Sequence, residues 1–149
     1  ATPAAELVSN SSPAPAEAAP ARKKVVLVMD DEEVIRDVAQ GMFEYLNYDC
    51  DLAANGEEGI ALYSRAMAQG EPYSLVIADV QVKGGMGGRD MAAAILKLDP
   101  AAKIIVSSGD GNDPAIQKYG EYGFSGALVK PYSIKALSNL LQEKPGVMG

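Results

Sequence analysis

The stretch Leu75-Val76-Ile77-Ala78-Asp79 limits the possible folds more than any other part of the chain. Four apolar residues in a row, closed by one carboxylate and followed by the glycine-rich segment Gly84-Gly85-Met86-Gly87-Gly88, fit a strand buried on both faces. Three further segments repeat the design. Val25-Val26-Leu27-Val28-Met29 runs into Asp30-Asp31, Lys103-Ile104-Ile105-Val106 into Ser107-Ser108-Gly109, and Ala127-Leu128-Val129 into Lys130-Pro131. Strands buried on both faces belong to parallel sheets covered by helices on each side. Such strands, each ending in a polar group, predict one site at one edge of one sheet.

The intervening segments carry helical periodicity. Residues 32–46 place Val34, Ile35, Val38, Met42, Tyr45 and Leu46 at helical spacing, which predicts one buried face. Gly41 costs a helix about 1 kcal/mol relative to alanine, so a close packing contact is expected there. Asn47 ends this helix, and residues 48–53 form a strand of mixed polarity suited to a sheet edge. Asn55 and Glu58 have the spacing of a capping box for a second helix, which Gln69-Gly70-Glu71-Pro72 stops after Ala68. The central strand is read as 74–78. A third helix, 89–98, carries Met91, Ile95 and Leu98 and stops at Asp99-Pro100. Strand 103–107 precedes Asp113-Pro114, which opens a short helix reaching Tyr122. After strand 125–129, Ser133 caps a last helix with Ile134, Leu137, Leu140 and Leu141.

Consecutive strands lie too far apart for hairpins, so they run parallel through helical crossovers. The expected fold is α/β, a doubly wound parallel sheet. Such sheets bind ligands at the carboxyl ends of their strands, where the winding direction reverses. There Asp30, Asp31, Asp79, Ser108 and Lys130 would meet.

Composition narrows the function. The 149 residues carry a net charge of −7, which disfavours a nucleic-acid surface, and 48% are hydrophobic, as in ordinary globular proteins. There is no histidine, so histidine-based catalysis and the usual zinc sites are excluded. The single cysteine, Cys50, cannot form an internal disulfide and reads as a half-buried strand residue. Residues 1–22 are rich in Ala, Pro and Ser and are expected to be a disordered interdomain linker. Residues 23–143 form the folded domain and 144–149 a tail. No apolar run is long enough to span a membrane, and the opening residues lack the basic head and apolar centre of a signal peptide. A cytoplasmic monomer without membrane contact is expected.

Taken singly, each polar residue has a bland explanation. Asp30-Asp31 suits a solvated helix start, favoured by the helix dipole. The glycine segment suits a flexible connector, and it lacks the Lys-Ser ending of a nucleotide-binding loop. Met86 and the helix methionines suit packing. Together the residues are chemically specific. Three carboxylates in one place repel unless a cation intervenes. Mg²⁺, held by carboxylates, water and phosphate oxygens, is the simplest such cation. With Lys130 as a second positive charge, the set suits attack of a carboxylate on a phosphoryl group to form an acyl phosphate. Ser108 is placed to donate a hydrogen bond to that group.

Asp30-Asp31, Asp79, Ser108 and Lys130-Pro131 together resemble the active-site set of the response-regulator receiver domain of two-component signalling, over residues 24–142. The resemblance implies a flavodoxin-like (βα)5 sheet of strand order 2-1-3-4-5. It makes Asp79 the phosphoacceptor. It assigns Mg²⁺ to Asp31, Asp79 and the backbone carbonyl of Gln81, with Asp30 holding metal-bound water. Lys130 would contact the phosphoryl oxygens, Ser108 would carry the switch, and Lys130-Pro131 is a candidate cis peptide. Gly84-Gly85-Met86-Gly87-Gly88, Ser107-Ser108-Gly109, Tyr122-Gly123-Phe124-Ser125-Gly126 and Lys130-Pro131-Tyr132 are similar to receivers at the C-terminal end of hybrid sensor histidine kinases. The implied partners are a histidine kinase domain, in the same parent chain, and a histidine phosphotransfer protein. The domain itself would be a phosphorylated switch, with kinase activity in the parent chain.

Several residues depart from that family. Lys83 stands where most receivers carry proline, in a loop one residue longer than usual. Ala127 replaces the aromatic residue that usually couples to the switch hydroxyl, leaving Tyr132 or Tyr119 to replace it. Gln81 and Asp110 occupy positions that tune acyl-phosphate hydrolysis. Two other classes fit less well. A haloacid-dehalogenase-type phosphatase needs an aspartate where Gln81 stands, and a flavodoxin-like cofactor binder needs a phosphate-accepting loop where Asp30, Asp31, Glu32 and Glu33 stand. A stand-alone response regulator, or a receiver-like interaction module that is never phosphorylated, are the remaining readings.

Overall fold

The structure, a computed structural model, describes residues 24–142 and 147–148. The expected linker at 1–22 and the tail residues Lys144-Pro145-Gly146 lie outside the described residues. Strands and helices alternate as β1 (Val25–Met29), α1 (Glu33–Tyr45), β2 (Asp49–Ala53), α2 (Gly56–Ala68), β3 (Leu75–Asp79), α3 (Gly88–Leu98), β4 (Ile104–Ser108), α4 (Pro114–Gln117), β5 (Gly126–Val129), α5 (Ile134–Leu141) and β6 (Val147–Met148). Every strand pair is parallel, and the spatial order is β2-β1-β3-β4-β5-β6. The first five reproduce the expected 2-1-3-4-5 order. The sixth is a correction. Residues 147–148 do not belong to a tail but pair with Ala127 and Leu128. An unpaired edge on β5 exposes backbone donors and acceptors, which an apolar dipeptide in reach can satisfy.

Strand alternation splits the core into two layers. Val26, Val28, Leu75, Ile77, Ile105 and Leu128 face α1 and α5, where Phe43 and Leu137 are fully buried. Leu27, Met29, Val76, Ala78, Ile104 and Val106 face α2, α3 and α4, with Tyr63, Met91, Ile95 and Ile116. The chain reverses its winding between β1 and β3, so Asp30 and Asp79 flank the switch point.

The buried face of α1 differs from the expected one. Ala39 and Phe43 are its buried residues, flanked by half-buried Ile35, Met42 and Leu46. Val34, Val38 and Tyr45 are 66%, 44% and 78% exposed. A helix lying on a sheet buries a single stripe, and these three fall on a second one with Gly41. A Cβ on Gly41 would meet nothing within 4 Å, so the close contact expected there is absent within this domain. On α3, Ala92 is buried where Leu98 was expected, and Leu98 is 43% exposed.

The caps follow the sequence closely. Asn55 Oδ1 accepts from the Glu58 N–H at 2.9 Å, and Asp113 and Ser133 cap α4 and α5. Glu58 Oε1 accepts from Ala54 N–H at 2.8 Å, one residue before the cap, rather than from the cap itself. Helix α4 is only four residues long, and a 3₁₀ turn over Tyr119–Tyr122 continues it. The glycine segment is anchored. Met86 N–H donates to Glu57 Oε1 at 3.0 Å, and Met86 O accepts from Gly56 N–H at 2.8 Å. A Cβ on Gly88 would lie 2.9 Å from the carbonyl oxygens of Ala78 and Asp79, so only glycine lets α3 start this close to β3. Among the described residues no helix is long and apolar enough to cross a membrane.

Candidate functional site

The polar side chains that end β1, β3 and β5 come together as the sequence predicts, whereas Ser108 at the end of β4 does not join them. Each strand alternates, so residues following an inward apolar position point to the same face. Asp30 follows Val26 and Val28, Asp79 follows Leu75 and Ile77, and Lys130 follows Leu128, all on the α1/α5 face. Asp30 and Asp79 are fully buried. Lys130 Nζ lies 3.0 Å from Asp30 Oδ2, 3.4 Å from Asp79 Oδ2 and 3.9 Å from Glu32 Oε1. One ammonium thus bridges two buried carboxylates. The Lys130–Pro131 peptide is cis.

The other oxygen of each buried carboxylate accepts from backbone. Glu32 N–H donates to Asp30 Oδ1 at 2.9 Å, and Gln81 N–H donates to Asp79 Oδ1 at 3.0 Å. Asp31 is half-buried, and its Oδ2 accepts from Lys83 N–H at 3.1 Å. Proline at position 83 would have no N–H to give. Arg36 Nη1 donates to the Asp30 carbonyl at 2.7 Å and ties α1 to the site.

Burial is the main force on Asp79 and pushes its carboxyl up to about 6. The Gln81 N–H opposes this, Asp30 adds repulsion, and Lys130 pulls back. Lys130 is raised, because bonds and attraction to Asp30 and Asp79 outweigh its own desolvation. Carboxylate oxygens of Asp30, Asp31 and Asp79 lie within 4.8 Å of one another. A three-carboxylate oxygen set of this size, with one carboxyl held above its ordinary range, fits a hard divalent cation. Asp31, Glu32, Gln81, Lys83 and Lys130 line a cavity of about 400 Å³ over it.

Ser108 stands apart from this cluster. It alternates onto the opposite face of the sheet, and its Oγ accepts from Asp110 N–H at 3.1 Å. The Gln81 side chain links the two loops at the site, with Oε1 accepting from Gly109 N–H at 3.0 Å. Tyr132, one candidate for the missing aromatic switch, lies on the α1/α5 face with its hydroxyl 2.8 Å from Ser107 Oγ. It therefore cannot replace the side chain absent at Ala127, which is buried on the other face. Ser107 was missed in the sequence. It is the register partner of Asp79, a relation that only the paired strands reveal.

The description of the response regulator receiver domain matches residues 26–142. The chain belongs to the response regulator receiver domain family of two-component signalling. Its receiver domain is 27% identical over 118 residues to the uncharacterized transcriptional regulatory protein YesN of Bacillus subtilis, covering 79% of this chain and 31% of that protein. It is 28% identical over 116 residues to the autoinducer 1 sensor kinase/phosphatase LuxN of Vibrio campbellii, covering 78% of this chain and 13% of LuxN. The chain thus spans about a third or less of these two relatives. The solved structure of Vibrio cholerae chemotaxis protein CheY4 superposes with a TM-score of 0.70 at 25% identity, covering 82% of this chain and 98% of that one.

Proposed function

We propose that this receiver domain is a phosphorylation-dependent switch whose phosphoacceptor is Asp79. The observation that carries the reading is the buried Asp79 carboxylate, held between Lys130 and Asp30 at the switch point of the sheet. A carboxylate oxygen of Asp79 attacks phosphorus. The bond from phosphorus to the donor histidine nitrogen breaks, and its electron pair stays on that nitrogen. Asp79 then carries an acyl phosphate, which water later hydrolyses.

The residues divide the work. Lys130 neutralises charge on the transferring oxygens. Gln81 N–H orients Asp79. Asp30, Asp31, Asp79 and the Gln81 backbone carbonyl would hold Mg²⁺, with Asp30 acting through water. When bound, Mg²⁺ supplies a second positive charge that lowers repulsion between the carboxylates and the incoming phosphoryl group. Ser108, free to leave Asp110 N–H, donates to the phosphoryl group and moves the β4–α4 loop. Phosphorylation shifts a pre-existing equilibrium of that loop.

The partner is a histidine kinase domain, or a histidine phosphotransfer protein that exchanges the group with this domain. The exposed stripe of Val34, Val38 and Tyr45 supports docking on α1, which begins two residues after Asp31. The partial match to LuxN, itself a sensor kinase/phosphatase, supports a hybrid kinase parent acting on the cytoplasmic side of a membrane. The 98% coverage of CheY4 supports the second reading, a stand-alone regulator.

The test is intact mass after incubation with acetyl phosphate and Mg²⁺. One phosphoryl adduct is expected, lost in Asp79→Asn and without metal. No adduct, together with no spectroscopic response to beryllofluoride, would leave the unphosphorylated interaction module as the reading.

A further inference from the structure

Gln81 touches both the proposed nucleophile and the loop that would carry the signal. Its backbone N–H donates to Asp79 Oδ1 at 3.0 Å. Its side chain reaches the β4–α4 loop, where Oε1 accepts from Gly109 N–H at 3.0 Å. A Cβ on Gly109 would lie 3.5 Å from that same oxygen, so the approach is close but unstrained. On either side of Gly109 the loop holds itself together. Asp110 N–H donates to Ser108 Oγ at 3.1 Å, and Asp110 O accepts from Asp113 N–H at 3.1 Å. Asp113 in turn caps α4. Hydrogen bonds between named donors and acceptors therefore run from the Asp79 carboxylate to Gln81, and from the Gln81 carboxamide to the segment that starts α4. From β5 the loop gets no such support, because Ala127 has no side chain to offer a hydroxyl.

We infer that the Gln81 carboxamide is a lock that holds the β4–α4 loop in its unphosphorylated position, taking over from the β3 side the work of the aromatic residue absent at Ala127. Gln81 is then a positioning residue, acting on the loop and not on phosphorus. The inference rests on Asp79 being the phosphoacceptor. Movement of the loop takes Gly109 N–H away from Gln81 Oε1 and Ser108 Oγ away from Asp110 N–H. A bond made in one state alone biases the equilibrium towards that state by its own net worth. For one ordinary hydrogen bond the bias is about twofold to tenfold. Driving a two-state element fully across takes a differential affinity of about 10⁴-fold. The lock therefore sets the resting population of the moved loop without preventing the switch.

The test uses the full chain and compares the wild type with Gln81→Met, which keeps an unbranched side chain and loses the acceptor, and Gln81→Glu, which keeps an acceptor oxygen. Gln81 is exposed, so neither change disturbs the core. Hydrogen exchange at the Gly109 amide is read first, without metal or fluoride. Gln81→Met should exchange about twofold to tenfold faster than the wild type, and Gln81→Glu should return to within about twofold of it. Beryllofluoride with Mg²⁺ then serves as the probe of the phosphorylated state. It should bind Gln81→Met about twofold to tenfold more tightly than the wild type, because a larger fraction of the chain is already competent. A side chain that merely supported the site would weaken that binding when lost. Wild-type exchange at Gly109 in Gln81→Met, or beryllofluoride binding no tighter than in the wild type, would overturn the lock while the wild type still takes a phosphoryl group. A wild-type chain that takes neither acetyl phosphate's phosphoryl group nor beryllofluoride would overturn the phosphoacceptor reading and the lock together.

Discussion

The two faces of the sheet differ most at its carboxyl edge. On the α1/α5 face Lys130 bridges Asp30 and Asp79, whose other oxygens accept from backbone N–H groups, and Ser107 and Tyr132 pair through their hydroxyls. On the opposite face Ser108 meets only Asp110 N–H, Ala127 offers no polar group, and α4 is four residues long. Tight pairing of buried charge fixes geometry, because each unpaired group would cost several kcal/mol. A short helix with few bonds has low local stability and moves readily. The polar cluster proposed to perform the chemistry is thus tightly paired, and the α4 end of the opposite face is held by fewer bonds.

The sharpest way to break the contrast is Lys130→Ala, which leaves Asp30 and Asp79 facing each other without a cation. Denaturant titration without divalent metal at neutral pH should show a loss of about 3 kcal/mol, and the loss should shrink at pH 4, where Asp79 is protonated. An unchanged midpoint would show the polar cluster to be no more tightly held than the α4 end of the opposite face. Gly88→Ala presses a methyl onto the Ala78 and Asp79 carbonyls, and should cost about 1–3 kcal/mol in the same titration.

The pH dependence sharpens the comparison from the other side. Folding raises the Asp79 carboxyl from its ordinary value to about 6, so the native state holds a proton that the unfolded chain has released. Without divalent metal, stability should therefore fall as pH rises from about 4 to about 6, then level off. Asp79→Asn should flatten this slope and melt higher than the wild type at neutral pH. Thermal melts at several pH values check both. The smallest effect belongs to Gly41→Ala, which meets open space and should stabilise the domain by about 0.5–1 kcal/mol. A loss instead would mean that α1 is more closely covered than the structure shows.

Much of the fold was legible because its signals are local. Val25–Met29 and Leu75–Asp79 are too apolar to be anything but doubly covered strands, and Asn55, Asp113 and Ser133 mark helix starts by their side-chain chemistry. Errors arose where a residue's neighbours come from elsewhere in the chain. Val34, Val38 and Tyr45 have the periodicity of a buried face, but the sheet lies under Ala39 and Phe43, a matter of how α1 is rotated. Tyr132 was a reasonable candidate to partner Ser108, but strand alternation and the entry into α5 carry it to Ser107.

By itself the sequence determined that the strands are buried and parallel, that acids end β1 and β3 and a lysine ends β5, and that α2, α4 and α5 have chemically marked starts. These follow from hydrophobic runs, loop lengths and backbone capping, all interactions within about a dozen residues. Only the tertiary structure decided that Val147–Met148 closes the outer edge, that Lys130 bridges Asp30 and Asp79, and that Ser107 and Ser108, adjacent in the chain, serve opposite faces. The register of β3 against β4 and the crossing of α1 and α5 decide which side chains share a desolvated space. That is settled by the packing of the whole sheet, not by any one segment.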